Sequence, residues 1–182
     1  VFTSSDHHFN KVKEFHSVMD ESTQEEPIAW SPEDARYRAG FKLEELVEFL
    51  RAASESEEDF DSSVAYLHQA LDKAADKVRS KSQAEVSLVG QVDALIDTLY
   101  FTYGSFVLMG VDPEQLFDIV HRANMGKIFP DGKAHFDPIT HKILKPDDWE
   151  EKYAPEGAIK EELERQIQAY QRTLEQKEEN KE

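Results

Sequence analysis

The stretch SLVGQVDALIDTLYFTYGSFVLMGV, residues 87–111, decides how the rest of the chain is read. It carries two charged residues, Asp93 and Asp97, although 32% of the chain is charged and such a window would ordinarily hold roughly eight. The two acids stand four apart, which on a helix puts their carboxylates on one face, one turn from each other. Leu88, Val89, Val92, Leu95, Ile96 and Leu99 form an apolar stripe, with the acids beside it among Gly90, Phe101 and Gly104. Such a stripe reads as a core helix. Two like charges on a largely apolar helix repel each other and are costly to desolvate. A divalent cation is the natural neutraliser.

Composition bounds the remaining possibilities. At 182 residues, with 39% hydrophobic residues and a mean hydropathy of -0.66, the chain suits one well-buried core with polar extensions. The apolar window is interrupted by two Asp, a Gln and three Gly, so it is not expected to span a membrane. No basic, apolar leader opens the sequence, and there is no cysteine for disulfide or thiolate chemistry, which is compatible with a cytoplasmic setting. A net charge of -17 argues against a nucleic-acid polymer as partner, because phosphate backbones are bound by clustered Lys and Arg. One segment inverts that charge. Between His121 and Lys145, Arg122, Lys127, Lys133, Lys142 and Lys145 face only Asp131 and Asp137, a local net of +3 that can receive an anion or pair with acidic surface elsewhere.

Working outward, Phe9, Val12, Phe15, His16 and Met19 recur at helical spacing, and residues 21–27 form a polar connector. Ser31-Pro32 with Asp34 predicts an N-cap, a first-turn proline and a first-turn acid for a helix running to about Ala53. A more polar helix is expected over 59–81, then the low-charge helix, ending near Gly110. Asp112-Pro113-Glu114-Gln115 restarts a helix that continues to about Met125. Residues 129–155 lose the helical pattern, and HFDPITHKI suggests a small hairpin. From Pro155 on, Ile159, Leu163, Ile167, Tyr170 and Leu174 mark one stripe of a charged helix that frays into an acidic tail. The expected fold is all-α: an antiparallel four-helix-bundle core, a small irregular or hairpin segment and a C-terminal helix.

The helix after Ser31 contains KLEELVEFL, in which Leu43, Leu46, Val47 and Leu50 make the stripe expected to be buried. Glu44, Glu45 and Glu48 lie opposite or beside it. On its own this is an ordinary solvated face. Together with Asp93 and Asp97 it becomes a candidate pocket of hard oxygen donors, suited to Mg²⁺ or Mn²⁺. Zinc is the poorer match, since no His pair has ligand spacing on these helices. The His7-His8 pair, adjacent and near the terminus, is expected to be disordered.

In these features the chain resembles the all-α nucleoside triphosphate pyrophosphohydrolases, which include MazG-like proteins and phosphoribosyl-ATP pyrophosphohydrolase. Their signature is an ExxE pair on one helix, matched by Glu45 and Glu48 after Glu44, and an acidic pair on a later one. Asp97 matches the second pair. Ala94 occupies the usual position three residues earlier, and Asp93, four earlier, takes that role on the same face. The resemblance covers roughly residues 9–150, including LYFTYGSFVLMGVDPEQLFDIVHRANMGKIFPDGK and KILKPDDW. It implies a domain over 1–155, followed by a charged helix and tail over 156–182. It further implies hydrolysis of a nucleoside triphosphate or related nucleotide to the monophosphate and pyrophosphate. Glu45, Glu48, Asp93 and Asp97 would hold Mg²⁺, with Glu45 and Glu48 as catalytic carboxylates. Asn124, Lys127, Lys145 and Arg38 would contact phosphate or sugar, and Trp149 or Tyr103 could stack on a base. A homodimer, or a dimer of dimers, is the implied assembly. Two further readings stay open at this level: a catalytically silent nucleotide-binding bundle, and a helical interaction protein whose acids merely solvate.

Overall fold

The computed structural model describes residues 4–19, 23–24, 26–81, 83–139 and 142–179. Among them the fold is all-α. Seven helices run in order: α1 His7–Met19, α2 Pro32–Ala53, α3 Glu57–Lys81, α4 Leu88–Met109, α5 Glu114–Met125, α6 Trp149–Tyr153 and α7 Glu156–Glu179. The chain divides into two compact units, one of residues 26–96 and one of residues 1–25 with 97–182. Helix α4 gives its first turns to the former and the remainder to the latter.

In the unit of residues 26–96, α2 and α3 pack as a helical hairpin. Ser31 Oγ accepts the Asp34 N–H at 3.1 Å, with Pro32 at the first helical position, as the sequence requires of an N-cap. Ser56 Oγ accepts the Asp59 N–H at 3.1 Å at the start of α3, and an Arg51–Glu57 ion pair spans the turn. No described residue of this unit is buried. The α2 stripe therefore departs from expectation: Val47 and Leu50 are half-buried, while Leu43 and Leu46 are exposed. The stripe of α4 departs further, with Val89 80% and Ile96 59% exposed. The physical reason is that, among the described residues, α4 is in none of the helix pairs that pack most extensively, which are α1 with α5, α2 with α3 and α5 with α7.

The other unit is built on α5, against which α1 and α7 pack. Its buried apolar residues are Met19, Ala123 and Trp149. Asp118 of α5 receives Lys11 at 2.7 Å and His7 at 3.6 Å from α1, and His121 Nε2 lies 3.3 Å from Glu14 Oε2. Gln166 of α7 clamps the α4–α5 turn by accepting the Asp112 N–H and donating to its carbonyl, both at 2.9 Å. Gly110, at φ +71°, ends α4: its own N–H reaches Val107 O, and that of Val111 reaches Phe106 O. In place of the expected hairpin a single antiparallel bridge joins Phe136 and Ile143; two residues of that segment, 140 and 141, lie outside the described set. The His7-His8 pair is ordered, contrary to expectation. Asp6 caps the helix through the Phe9 N–H at 3.0 Å, and His8 Nδ1 meets the Tyr103 hydroxyl at 2.6 Å while its ring stacks on Phe117.

Candidate functional site

Glu45 and Glu48 stand one turn apart on α2, three residues being a near-repeat of the helix. Both are exposed, and so are Asp93 and Asp97 on α4. Arg38 lies two turns before Glu45, with its guanidinium 5.5 Å from the Phe41 ring centre. Lys42 donates to the Arg38 carbonyl at 3.3 Å, and its pKa is lowered by desolvation and then by the Arg38 charge. Along that edge of α2 the cations Arg38 and Lys42 therefore stand between Asp34 in the first turn and Glu45 and Glu48 further on.

Glu45, Glu48, Asp93 and Asp97 carry the hard oxygens that Mg²⁺ prefers. Their chemistry fits the ion, but the geometry of one chain does not: among its described residues, no three His, Asp or Glu side chains gather closely enough to hold a metal. A cause is visible at the base of the two helices. The Trp30 N–H donates to Gln91 Oε1 at 2.9 Å, and Gln91 Nε2 donates to the Trp30 carbonyl at 3.0 Å. This two-bond clasp fixes the first turn of α4 to the residue preceding the α2 cap. Nothing in the spacing of Trp30 or Gln91 marks it, because a side-chain amide bonding a distant backbone leaves no periodic trace.

Of the proposed anion-binding residues, Arg38 belongs to the unit of residues 26–96, and Asn124, Lys127 and Lys145 belong to the other. Lys127 Nζ donates to Asn124 Oδ1 at 2.7 Å, so these two act together at the end of α5. Lys145 Nζ sits 3.7 Å from the centre of the Trp149 ring and 3.2 Å from Glu150 Oε1. Trp149 is buried and its indole N–H donates to the Ala123 carbonyl at 2.8 Å, which makes it a packing residue and removes it as a stacking platform for a base. Tyr103 is committed through its hydroxyl to His8. Beside Lys127, Gly126 is packed against the Tyr153 ring so closely that a Cβ there would overlap it. The loop carrying Lys127 is thus pinned by Tyr153, and Trp149 from the same short helix α6 anchors to α5.

An all-helical chain with paired acids on two helices and a cationic segment after them has the features of a pyrophosphohydrolase class. Residues 12–124 match the family model of phosphoribosyl-ATP pyrophosphohydrolase, and the chain belongs to that family. It is also similar to the crystal structure of a proposed NTP pyrophosphohydrolase from Exiguobacterium sp. 255-15, at 35% identity and a TM-score of 0.82. That likeness covers 92% of this chain and 99% of the other. No curated protein matches the chain. The family match ends at Asn124, so Lys127 and Lys145 lie beyond it. Among the described residues no helix is long and apolar enough to cross a membrane.

Proposed function

We propose that this chain is a nucleotide pyrophosphohydrolase, cleaving a nucleoside triphosphate or related nucleotide between the α and β phosphorus atoms to release the monophosphate and pyrophosphate. The observation that carries the reading is the family match over 12–124, which contains both acidic pairs, Glu45 with Glu48 and Asp93 with Asp97. Mg²⁺ is the proposed cofactor, with Mn²⁺ as its substitute, and the four carboxylates are its proposed ligands. Asn124, Lys127, Lys145 and Arg38 are the proposed substrate contacts. A phosphate meeting Lys145 would replace Glu150 as its counter-charge while the Trp149 face keeps the ammonium aimed. One meeting Lys127 would find it already oriented by Asn124. The proposed setting is cytoplasmic and the proposed assembly a homodimer or a dimer of dimers, a reading supported by the exposed apolar residues of α2 and α4.

Incubating the protein with Mg²⁺ and a panel of ribo- and deoxyribonucleoside triphosphates tests this reading. Pyrophosphate release is expected for at least one member. Glu48→Gln and Asp97→Asn should each lower turnover at least about a hundredfold while the circular dichroism spectrum is unchanged. The alternative of a silent nucleotide-binding bundle draws support from Ala94, which breaks the usual spacing of the second pair. Nucleotide binding with no pyrophosphate released from any member would favour it.

A further inference from the structure

We infer that Trp149 is a positioning residue: seated on α5 and carrying Lys145 on its face, it holds that ammonium where, with Lys127, it grips two neighbouring phosphates of one molecule. This rests on the proposed function for Asn124, Lys127 and Lys145 as phosphate contacts, and on geometry for the part that Trp149 plays.

Trp149 is 5% exposed, and its one side chain makes two connections. The indole N–H donates to the Ala123 carbonyl at 2.8 Å, and Lys145 Nζ stands 3.7 Å from the ring centre. Ala123 immediately precedes Asn124, whose Oδ1 accepts from Lys127 Nζ at 2.7 Å. A run of three contacts and one peptide bond therefore leads from one ammonium to the other.

The two ends of that run are not held equally. Asn124 is part of α5, and its neighbour Ala123 is buried in the helix against which α1 and α7 pack. Lys145 belongs to no helix. It pairs with Glu150 at 3.2 Å, but the two side chains are 46% and 75% exposed, and an exposed pair of this kind holds little and exchanges readily with another anion. The buried indole is the contact that keeps the ammonium in one place. Helix α6 is fastened at a second point, because the Tyr153 ring fills the space beside Gly126, between Asn124 and Lys127 in the chain. Trp149 on Ala123 and Tyr153 on Gly126 thus flank Asn124, so α6 cannot pivot about either anchor alone.

The ligand chemistry follows from two ammoniums fixed in separate places. Each is a compact point charge suited to a phosphate oxygen. Orthophosphate is served by either one. A diphosphate is served by both, the second contact forming at the high local concentration that the first creates. An indole without its seat would leave Lys145 present but unaimed, and that advantage would go.

Calorimetric titration of the full chain with inorganic pyrophosphate and with orthophosphate, in EDTA so that no metal bridges the anion to the acids, tests the grip. Wild type is expected to hold pyrophosphate at least about tenfold more tightly than orthophosphate. Trp149→Phe changes no charge and keeps a ring for Lys145, but removes the N–H that seats it. With an unchanged circular dichroism spectrum it should bind pyrophosphate at least about fivefold more weakly and orthophosphate within about twofold of wild type. Lys145→Gln should show the same selective loss, and adding Trp149→Phe to it should cost no more, since Trp149 acts through Lys145. Equal weakening of both anions, or losses that add in the double variant, would make Trp149 merely structural and overturn the inference, as would a wild type without the preference. A second measurement leaves Trp149 in place. The chain has two tryptophans, and pyrophosphate should shift the indole N–H resonance of Trp149 in wild type but not in Lys145→Gln. A Trp149 resonance unmoved at saturating pyrophosphate overturns the inference, whether or not Trp149→Phe folds. Pyrophosphate gripped by a chain that hydrolyses no nucleotide would defeat the functional reading alone; hydrolysis without the preference would defeat the inference alone.

Discussion

Gly126 and Glu162 are single residues whose surroundings fix a measurable consequence. A Cβ at position 126 would enter the Tyr153 ring, so Gly126→Ala must push α6 from its seat on α5. Overpacking of this kind costs about 1–3 kcal/mol, which should appear as a lowered urea midpoint; an unchanged midpoint would mean that Tyr153 does not dock there. Glu162 accepts two hydrogen bonds from Arg165 at 2.7 Å and one from Gln166 at 2.9 Å, and the Arg165 bonds above all hold its pKa at about 2 instead of the ordinary 4.5. A depressed carboxyl pKa stabilises the fold fully above the unfolded value, and the contribution is lost as pH falls through the folded one. Carbon NMR should therefore find the Glu162 carboxyl titrating near pH 2, and Glu162→Gln should flatten the loss of stability between about pH 4.5 and 2. A midpoint near 4.5 would contradict the pairing. Neither residue stands out in the sequence: a glycine after a helix gains weight only from its tertiary neighbour Tyr153, and a glutamate three before an arginine is an ordinary helical spacing until both partners are seen to bond it.

At the scale of elements, local chemistry was the reliable guide. Ser31-Pro32, Gly110 and Asp112 each announce a helix boundary by an interaction confined to a few residues, and α2, α4 and α5 begin or end where those residues put them. What the sequence could not convey was which faces meet. The stripes of α2 and α4 have the pattern of core helices, and pattern alone does not say whether the covering partner comes from the same chain. The Trp30–Gln91 clasp, which sets the relation of α2 to the start of α4, is equally silent in the sequence. Gln91→Ala leaves the Trp30 N–H and carbonyl without their partners, at a cost of about 1–3 kcal/mol. The Trp30 amide should then exchange hydrogen at least about tenfold faster. Exchange at the wild-type rate would show that the clasp does not hold the two helices together.

For the whole molecule, the all-α class and the family could be read from the order of motifs, since acidic pairs, cap residues and the basic segment survive as text. The four acids, by contrast, are split between two helices, and among the described residues no three His, Asp or Glu side chains gather closely enough to hold a metal. Of the cationic residues, Lys145 is oriented by Trp149 and Glu150 and Lys127 by Asn124, contacts that the sequence does not announce. What this arrangement is for turns on which phosphoanhydride bond is cut. Phosphorus NMR of the products formed from a hydrolysed nucleoside triphosphate in Mg²⁺ reads this directly. Nucleoside monophosphate and pyrophosphate in equal amounts are predicted; nucleoside diphosphate with orthophosphate, or an unaltered triphosphate across the whole nucleotide panel, would contradict the account.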